Sequence, residues 1–206
     1  QAAKLRYMSG GQADVPITFR SVCGAIGSAA AQHSETVYSQ FMSVPGLKIV
    51  VPSGPRDMKG LLKSAIRDNN PVLVFEHLKL GRAKEEVPDE DSVIPLGEAE
   101  VKREGTDVTI VAIGFMVSQA LKAAKSLEQD GISAEVVDPR TLIPLDEEAI
   151  LSSVAKTHKV LVVDEAHLRC GAAAEIAAVI ADKGFDNLDA PVKRLTAPDV
   201  PVPFSP

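Results

Sequence analysis

The sequence has no tryptophan and only 4% aromatic residues over its 206 positions, which argues against surfaces built to stack sugars or bases. It has two cysteines, Cys23 and Cys170, far apart and without CxxC or Cys/His ligand spacing. That pattern points to a reducing compartment and to no structural zinc. An excess of basic charge is also missing: 22 Lys and Arg face 28 Asp and Glu, for a net charge of −6. Nucleic-acid binding is therefore disfavoured, because a phosphate backbone is held by a dense Lys/Arg field. No apolar run approaches bilayer length, so no membrane association is expected. Neither GxGxxG nor GxxxxGK[ST] occurs, which removes the Rossmann and P-loop readings.

What remains is an ordinary globular composition, 45% hydrophobic and 24% charged. The length suits one large domain or, better, two modest ones. Gln1-Ala-Ala-Lys-Leu-Arg-Tyr7 reads as the tail of a helix already under way, and the chain stops at Pro206 in a loop. Both ends are therefore expected to be incomplete.

Short apolar runs alternate with helical periodicity, the pattern of βαβ units on mainly parallel sheets. The expected architecture is α/β with two such domains, over residues 1–80 and 106–206, joined by a linker at 81–105. The linker is read from a charged, aperiodic stretch carrying Arg82, Lys84, Glu85, Glu86, Asp89, Glu90 and Asp91. Strands are expected at Val15–Arg20, Leu47–Val51, Val72–Phe75, Val108–Ile113, Ala134–Asp138, Val160–Val163 and Val192–Leu195. Helices are expected from near Ser34 to Pro45, and over 56–67, 117–127, 172–181 and from Asp146 onward. Met58, Leu61, Leu62, Ala65 and Ile66 would share one face of the 56–67 helix.

Among candidate site residues, the small-residue loop from Cys23 to Ser34 leads. Gly24 and Gly27 let backbone approach a ligand closely. His33, at the loop's junction with a helix, could move a proton near neutral pH. Its plainer reading, a histidine packing at a helix start, is preferred on position alone. Asp68, Asn70 and the last carbonyls of the preceding helix could gather around a cation, or merely stop the helix before Pro71. Arg140, in Asp138-Pro-Arg-Thr141, reads first as a structural ion pair. Asp164 and Glu165 could act as a carboxylate pair but more simply cap loops. His77, His158 and His167 read as surface residues, and Cys170 as a possible reactive thiol.

In order along the chain, Tyr7-Met-Ser-Gly-Gly11, Val15-Pro-Ile-Thr-Phe-Arg20, Ala31-Gln-His-Ser34, Pro45-Gly-Leu-Lys48, Lys59–Pro71 and Asp138-Pro-Arg-Thr141 resemble one family. These are beta subunits of the thiamine-diphosphate-dependent decarboxylating component of 2-oxo acid dehydrogenase complexes. The resemblance covers nearly the whole chain and implies the latter half of a pyrimidine-binding domain followed by a transketolase C-terminal-like domain. It implies thiamine diphosphate and Mg2+ shared with an alpha subunit, in a heterotetramer of two alpha and two beta chains. It further implies acyl transfer from a small-molecule substrate (pyruvate, acetoin or a branched-chain 2-oxo acid) to the lipoamide of an acyltransferase core.

Motifs such as Val163-Asp-Glu-Ala166 and Leu188-Asp-Ala-Pro191 look most like acetoin dehydrogenase beta chains. By the same resemblance His33 is the active-site histidine, and Ala65, Ile66, Asp68 and Asn70 bind potassium, mostly through backbone oxygens. Cofactor-contacting residues are unknown, being expected in the absent front segment and the alpha chain, so the fragment alone is expected to be inactive. The implied location is the cytoplasm in bacteria, or the mitochondrial matrix or plastid in eukaryotes. The competing expectation is a non-catalytic assembly module of such a complex.

Overall fold

A computed structural model describes residues 1–205; Pro206, which closes the expected second domain, lies outside the described residues. In chain order the elements are α1 (Ala2–Met8), β1 (Thr18–Cys23), α2 (Ser39–Met42), β2 (Lys48–Val50), α3 (Pro55–Arg67) and β3 (Val72–His77), then β4 (Glu100–Arg103), β5 (Val108–Ala112) and α4 (Phe115–Gln129). They continue with β6 (Ala134–Asp138), β7 (Thr141–Ile143), α5 (Glu147–Thr157), β8 (Val160–His167), α6 (Ala172–Lys183) and β9 (Lys193–Ala197).

Two sheets result, in strand orders β1-β3-β2-β7 and β4-β6-β5-β8-β9. Pairing is parallel except for β7 on β2 and β4 on β6. The architecture is therefore α/β with two mainly parallel sheets. The central strands are buried on both faces, as Ile110–Ile113 and Val136–Val137 show, which is why they read as continuous apolar runs.

Where the structure departs from the sequence expectations, local chemistry explains the difference. The first strand starts at Thr18 rather than Val15, because Pro16 has no amide to give a ladder. The helix expected from Ser34 to Pro45 is only the single turn α2 (Ser39–Met42); β-branched Thr36 and Val37 and the serines around it weaken the run. Within the stretch read as a linker, Glu100–Arg103 form β4 on the edge of the second sheet.

The rest of that stretch straps over α3: Ile94 packs on Gly60 and its carbonyl accepts from Ser64 at 2.5 Å. Asp91 pairs there with Lys63 at 2.7 Å and Arg67 at 2.6 Å. The turn expected at Asp138–Asp146 contains β7, which crosses to the first sheet. A single apolar cluster accordingly runs through both halves, from Ile49, Leu73 and Phe75 to Leu142, Ile150 and Ile176.

Candidate functional site

The site is best built outward from the end of β1. Cys23 is buried there, and its thiol is pushed up to about 12 by burial, with the Glu165 and Asp164 charges adding to it. It is thus a protonated core residue and no nucleophile. Gly24 follows at φ +91°, so close to His77 that a Cβ would fall 1.9 Å from the imidazole Nε2. Only glycine fits. The Gly24 amide donates to the Glu35 carbonyl at 3.2 Å, which makes residues 24 and 35 the neck of a closed loop. Inside it, Gly27, Ser28 and Ala30 all take positive φ, a costly sequence for two non-glycine residues and a mark of a shape held from outside. A 3-10 turn, Ala31–His33, ends the loop; Ser34 is buried and the His33 side chain is exposed.

The outside hold comes from the other half of the chain. Glu165 on β8 accepts the Ala25 amide at 3.0 Å through one oxygen and meets the His77 ring with the other. The His77 Nδ1 accepts the Lys79 amide at 3.2 Å, which puts the ring proton on Nε2, facing Glu165. Phe115 stacks on the imidazole at 4.7 Å. Burial works against the Glu165 charge, yet the His77 and Ala25 hydrogen bonds hold its pKa below the usual range.

One residue earlier, Asp164 accepts from the Tyr38 hydroxyl, and burial raises its pKa against that bond. Tyr38 lies edge-on to Phe75 at 5.9 Å, and burial followed by the Asp164 charge pushes its phenol well up. His77 is therefore not a surface residue: it is buried and joins the two halves. Asp164 and Glu165, read from sequence as loop caps, lie within β8. No spacing in the sequence signals these contacts.

His158 and His167 accord with their expected place: each leans on a backbone carbonyl, of Asn187 at 2.9 Å and Pro198 at 2.8 Å. Cys170 is exposed, on a rim of a cavity of about 800 Å³ that also includes Glu35, His167 and Arg169. Arg140 does form structural ion pairs, to Asp57 at 3.1 Å and to Glu100.

Behind them Asp138 is fully buried, and its pKa rises to about 6, from burial first and the Asp57 charge second, against the Ser53 hydrogen bond and the Lys102 charge. The folded state therefore holds a proton that the unfolded chain gives up near 3.8. Stability from this group is present below that pH and is lost as pH rises through about 6. Asp138→Asn, which can still accept from Arg140, should remove that decline and gain up to about 3 kcal/mol at pH 7. Urea unfolding from pH 4 to 7 would measure it; parallel profiles for the two proteins would contradict it.

Around the C-terminus of α3, the Ala65 carbonyl already accepts from the Thr18 hydroxyl at 3.0 Å. The Asp68 carboxylate is held by Lys48 and by both amides of Asn70, at 2.8 and 2.9 Å. Burial raises and these bonds lower the Asp68 pKa, with a net fall. A carboxylate so engaged, with an ammonium on it, does not suit a cation, so a cation here would have to rest on backbone oxygens, of which that of Ala65 already accepts from Thr18 and from the Asp68 amide. Among the described residues no group of three or more His, Cys, Asp or Glu side chains could hold a metal. No helix among them is long and apolar enough to cross a membrane.

Comparison with known proteins extends this geometry. A family model described as the transketolase C-terminal domain matches residues 97–206, and one for the transketolase pyrimidine-binding domain matches residues 1–84. The chain belongs to the transketolase C-terminal domain family. Over its whole length it is 58% identical to the beta subunit of acetoin:2,6-dichlorophenolindophenol oxidoreductase of Bacillus subtilis, covering 60% of that protein. It is 50% identical to the pyruvate dehydrogenase E1 component subunit beta of the same organism, covering 63%. The 2-oxoisovalerate dehydrogenase subunit beta, also from Bacillus subtilis, is 50% identical, with 64% covered. The chain thus spans about 60% of the length of these relatives. Among solved structures, a split-gene transketolase described as an inactive beta4 tetramer superposes with a TM-score of 0.78 at 27% identity, over 94% of this chain and 60% of that one.

Proposed function

We propose that this chain forms part of the beta subunit of a thiamine-diphosphate-dependent dehydrogenase. The subunit would transfer an acyl group from acetoin, pyruvate or a branched-chain 2-oxo acid to the lipoamide of an acyltransferase core. The single observation that carries the reading is the loop of residues 24–33. Its small residues, gripped by both halves of the chain, bring an exposed imidazole to a corner that a second polypeptide can close over. Thiamine diphosphate, when bound beside the small residues of the loop, would supply the electron sink needed to break the bond next to the substrate carbonyl. His33 would orient substrate and move a proton at its imidazole nitrogens.

The small side chains of residues 24, 25 and 27–31 suit the close approach of a flat ring to backbone. Diphosphate-bound Mg2+ is assigned to an alpha chain, in a tetramer of two alpha and two beta chains. A potassium ion on the backbone oxygens of Ala65, Ile66, Asp68 and Asn70 would stiffen the β1–α3 contact at Thr18, at the end of β1 opposite the loop. If so, exchanging K⁺ for a larger organic cation should lower the melting temperature, and an unchanged melt would remove the ion from the account.

The full-length beta chain, assembled with its alpha partner, gives the test. Acetoin, pyruvate and branched-chain 2-oxo acids would each be offered with an electron acceptor, with and without thiamine diphosphate. Turnover of one of them that depends on the cofactor is expected. The similarity to an inactive beta4 tetramer supports a second reading, a module for assembly alone. Firm binding of the alpha chain with no cofactor-dependent turnover of any substrate would select it.

A further inference from the structure

Resting on the reading of His33 just given, we propose that Glu165 is the residue that positions His33, by holding the loop of residues 24–33 from the opposite half of the chain. The loop's one large apolar side chain, Ile26, is half-buried and belongs to none of the apolar clusters. Its neck is one hydrogen bond, Gly24 to Glu35 at 3.2 Å, and beyond Ile26 its interior is a run of small residues, 27–31, with left-handed backbone at Gly27, Ser28 and Ala30. Left alone, such a segment samples many conformations, because small side chains bury little and glycine restricts nothing.

One carboxylate makes the difference. Glu165 takes the Ala25 amide at 3.0 Å, one residue past the neck, and takes the His77 ring with its second oxygen. The same ring fills the space under Gly24. The entry to the loop is therefore clamped between an acceptor and an imidazole face. The exit is fixed by the neighbouring residue, since Asp164 binds Tyr38 a few positions beyond His33.

Both carboxylates can serve the first sheet because the pairing of β8 with β9 shifts register between Val163 and His167. Such irregularities re-aim side chains. An ionised acceptor on a backbone amide makes one of the stronger hydrogen bonds available. Glutamine cannot replace it fully: the Ala25 amide and the protonated His77 Nε2 are both donors, and a carboxamide has one oxygen to offer them.

The experiment uses the full-length chain assembled with its alpha partner and thiamine diphosphate, and measures kcat, KM and amide hydrogen exchange for wild type, His33→Ala, Glu165→Gln, Glu165→Ala and the His33→Ala/Glu165→Ala double variant. Glu165→Ala should lower kcat about tenfold or more while KM stays within about twofold. Exchange at Ala25 and through residues 26–33 should rise about tenfold, with β5 and α5 amides unchanged. Glu165→Gln should lie between wild type and Ala. The double variant should be no slower than His33→Ala alone, because Glu165 acts through that imidazole.

A wild-type kcat in Glu165→Ala, or a double variant slowed by the product of the two single effects, overturns the positioning role. So does unchanged exchange at Ala25. Should Glu165→Ala fail to fold, Glu165→Gln carries the same comparisons. Absence of cofactor-dependent turnover in wild type, or no effect of His33→Ala, would instead strike the functional reading beneath.

Discussion

Replacing Asp57 by alanine should cost about 3–5 kcal/mol of stability, although the residue lies in neither sheet and touches no part of the His33 loop. Its side chain is 2% exposed. One carboxylate oxygen accepts from Ser53 at 2.9 Å and from Lys102 at 2.8 Å; the other lies 3.1 Å from the Arg140 Nε. That last approach is a charge contact rather than an aligned hydrogen bond, since neither atom has a hydrogen-bond partner. Lys102 and Arg140 also share Glu100. Two cations and the carboxylates of Asp57, Glu100 and Asp138 thus tie α3 to β4 and to the β6–β7 corner.

An exposed pair of this composition would be worth at most about 1 kcal/mol. Burial decides for the larger figure, because removing Asp57 leaves Lys102 and Arg140 each one carboxylate short in a site largely closed to water. Asp138, with its pKa at about 6, is already mostly ionised at pH 7 and keeps part of the Lys102 charge paired, which keeps the loss from growing further. Urea unfolding of the full-length chain at pH 7 measures it. A change within about 0.5 kcal/mol would mean that the network is solvated, contrary to its burial.

Gly24→Ala is expected to be nearly as damaging, by about 2–4 kcal/mol, and for a purely steric reason. The new Cβ would sit 1.9 Å from Nε2 and 2.2 Å from Cδ2 of His77. That ring is held by Phe115, Lys79 and Glu165 and cannot swing away without breaking its pair. Backbone at φ +91° adds the strain of a conformation that L residues avoid. Truncating the obstacle separates the two causes. Gly24→Ala in a His77→Ala background should cost only the backbone part, about 1–2 kcal/mol. Equal costs in both backgrounds would show that the His77 contact is not what demands glycine.

How much of this was legible in the sequence depended on distance along the chain. Local signals were readable: the period of Met58, Leu61, Leu62 and Ala65 on α3, the doubly buried run of β5, the stop at Asp68–Pro71, and the glycines flanking Cys23 and His33. Even there the periodicity overreached, since Ile66 is 61% exposed on the far edge of that face.

Interactions across the two halves were not readable. Glu165 meets His77 across 88 positions and Tyr38 meets Asp164 across 126, and neither pair has a spacing that a helix or strand repeat would reveal. His77 reads as a surface histidine because what buries it, Glu165 of β8 and Phe115 of α4, comes from the other half of the chain. Likewise β7 was hidden in a Pro-bounded turn, because a three-residue strand carries too little pattern to be seen. The candidate loop could be found from its composition; what fixes its shape could not.

The most direct measurement is the rate of acyl transfer to lipoamide by the assembled full-length complex carrying His33→Ala, with thiamine diphosphate binding titrated on the same preparation. An imidazole that works on the reacting atoms predicts a fall of about 10²-fold or more with cofactor affinity unchanged. A near-normal rate from a complex that still assembles and still binds the cofactor would contradict the account.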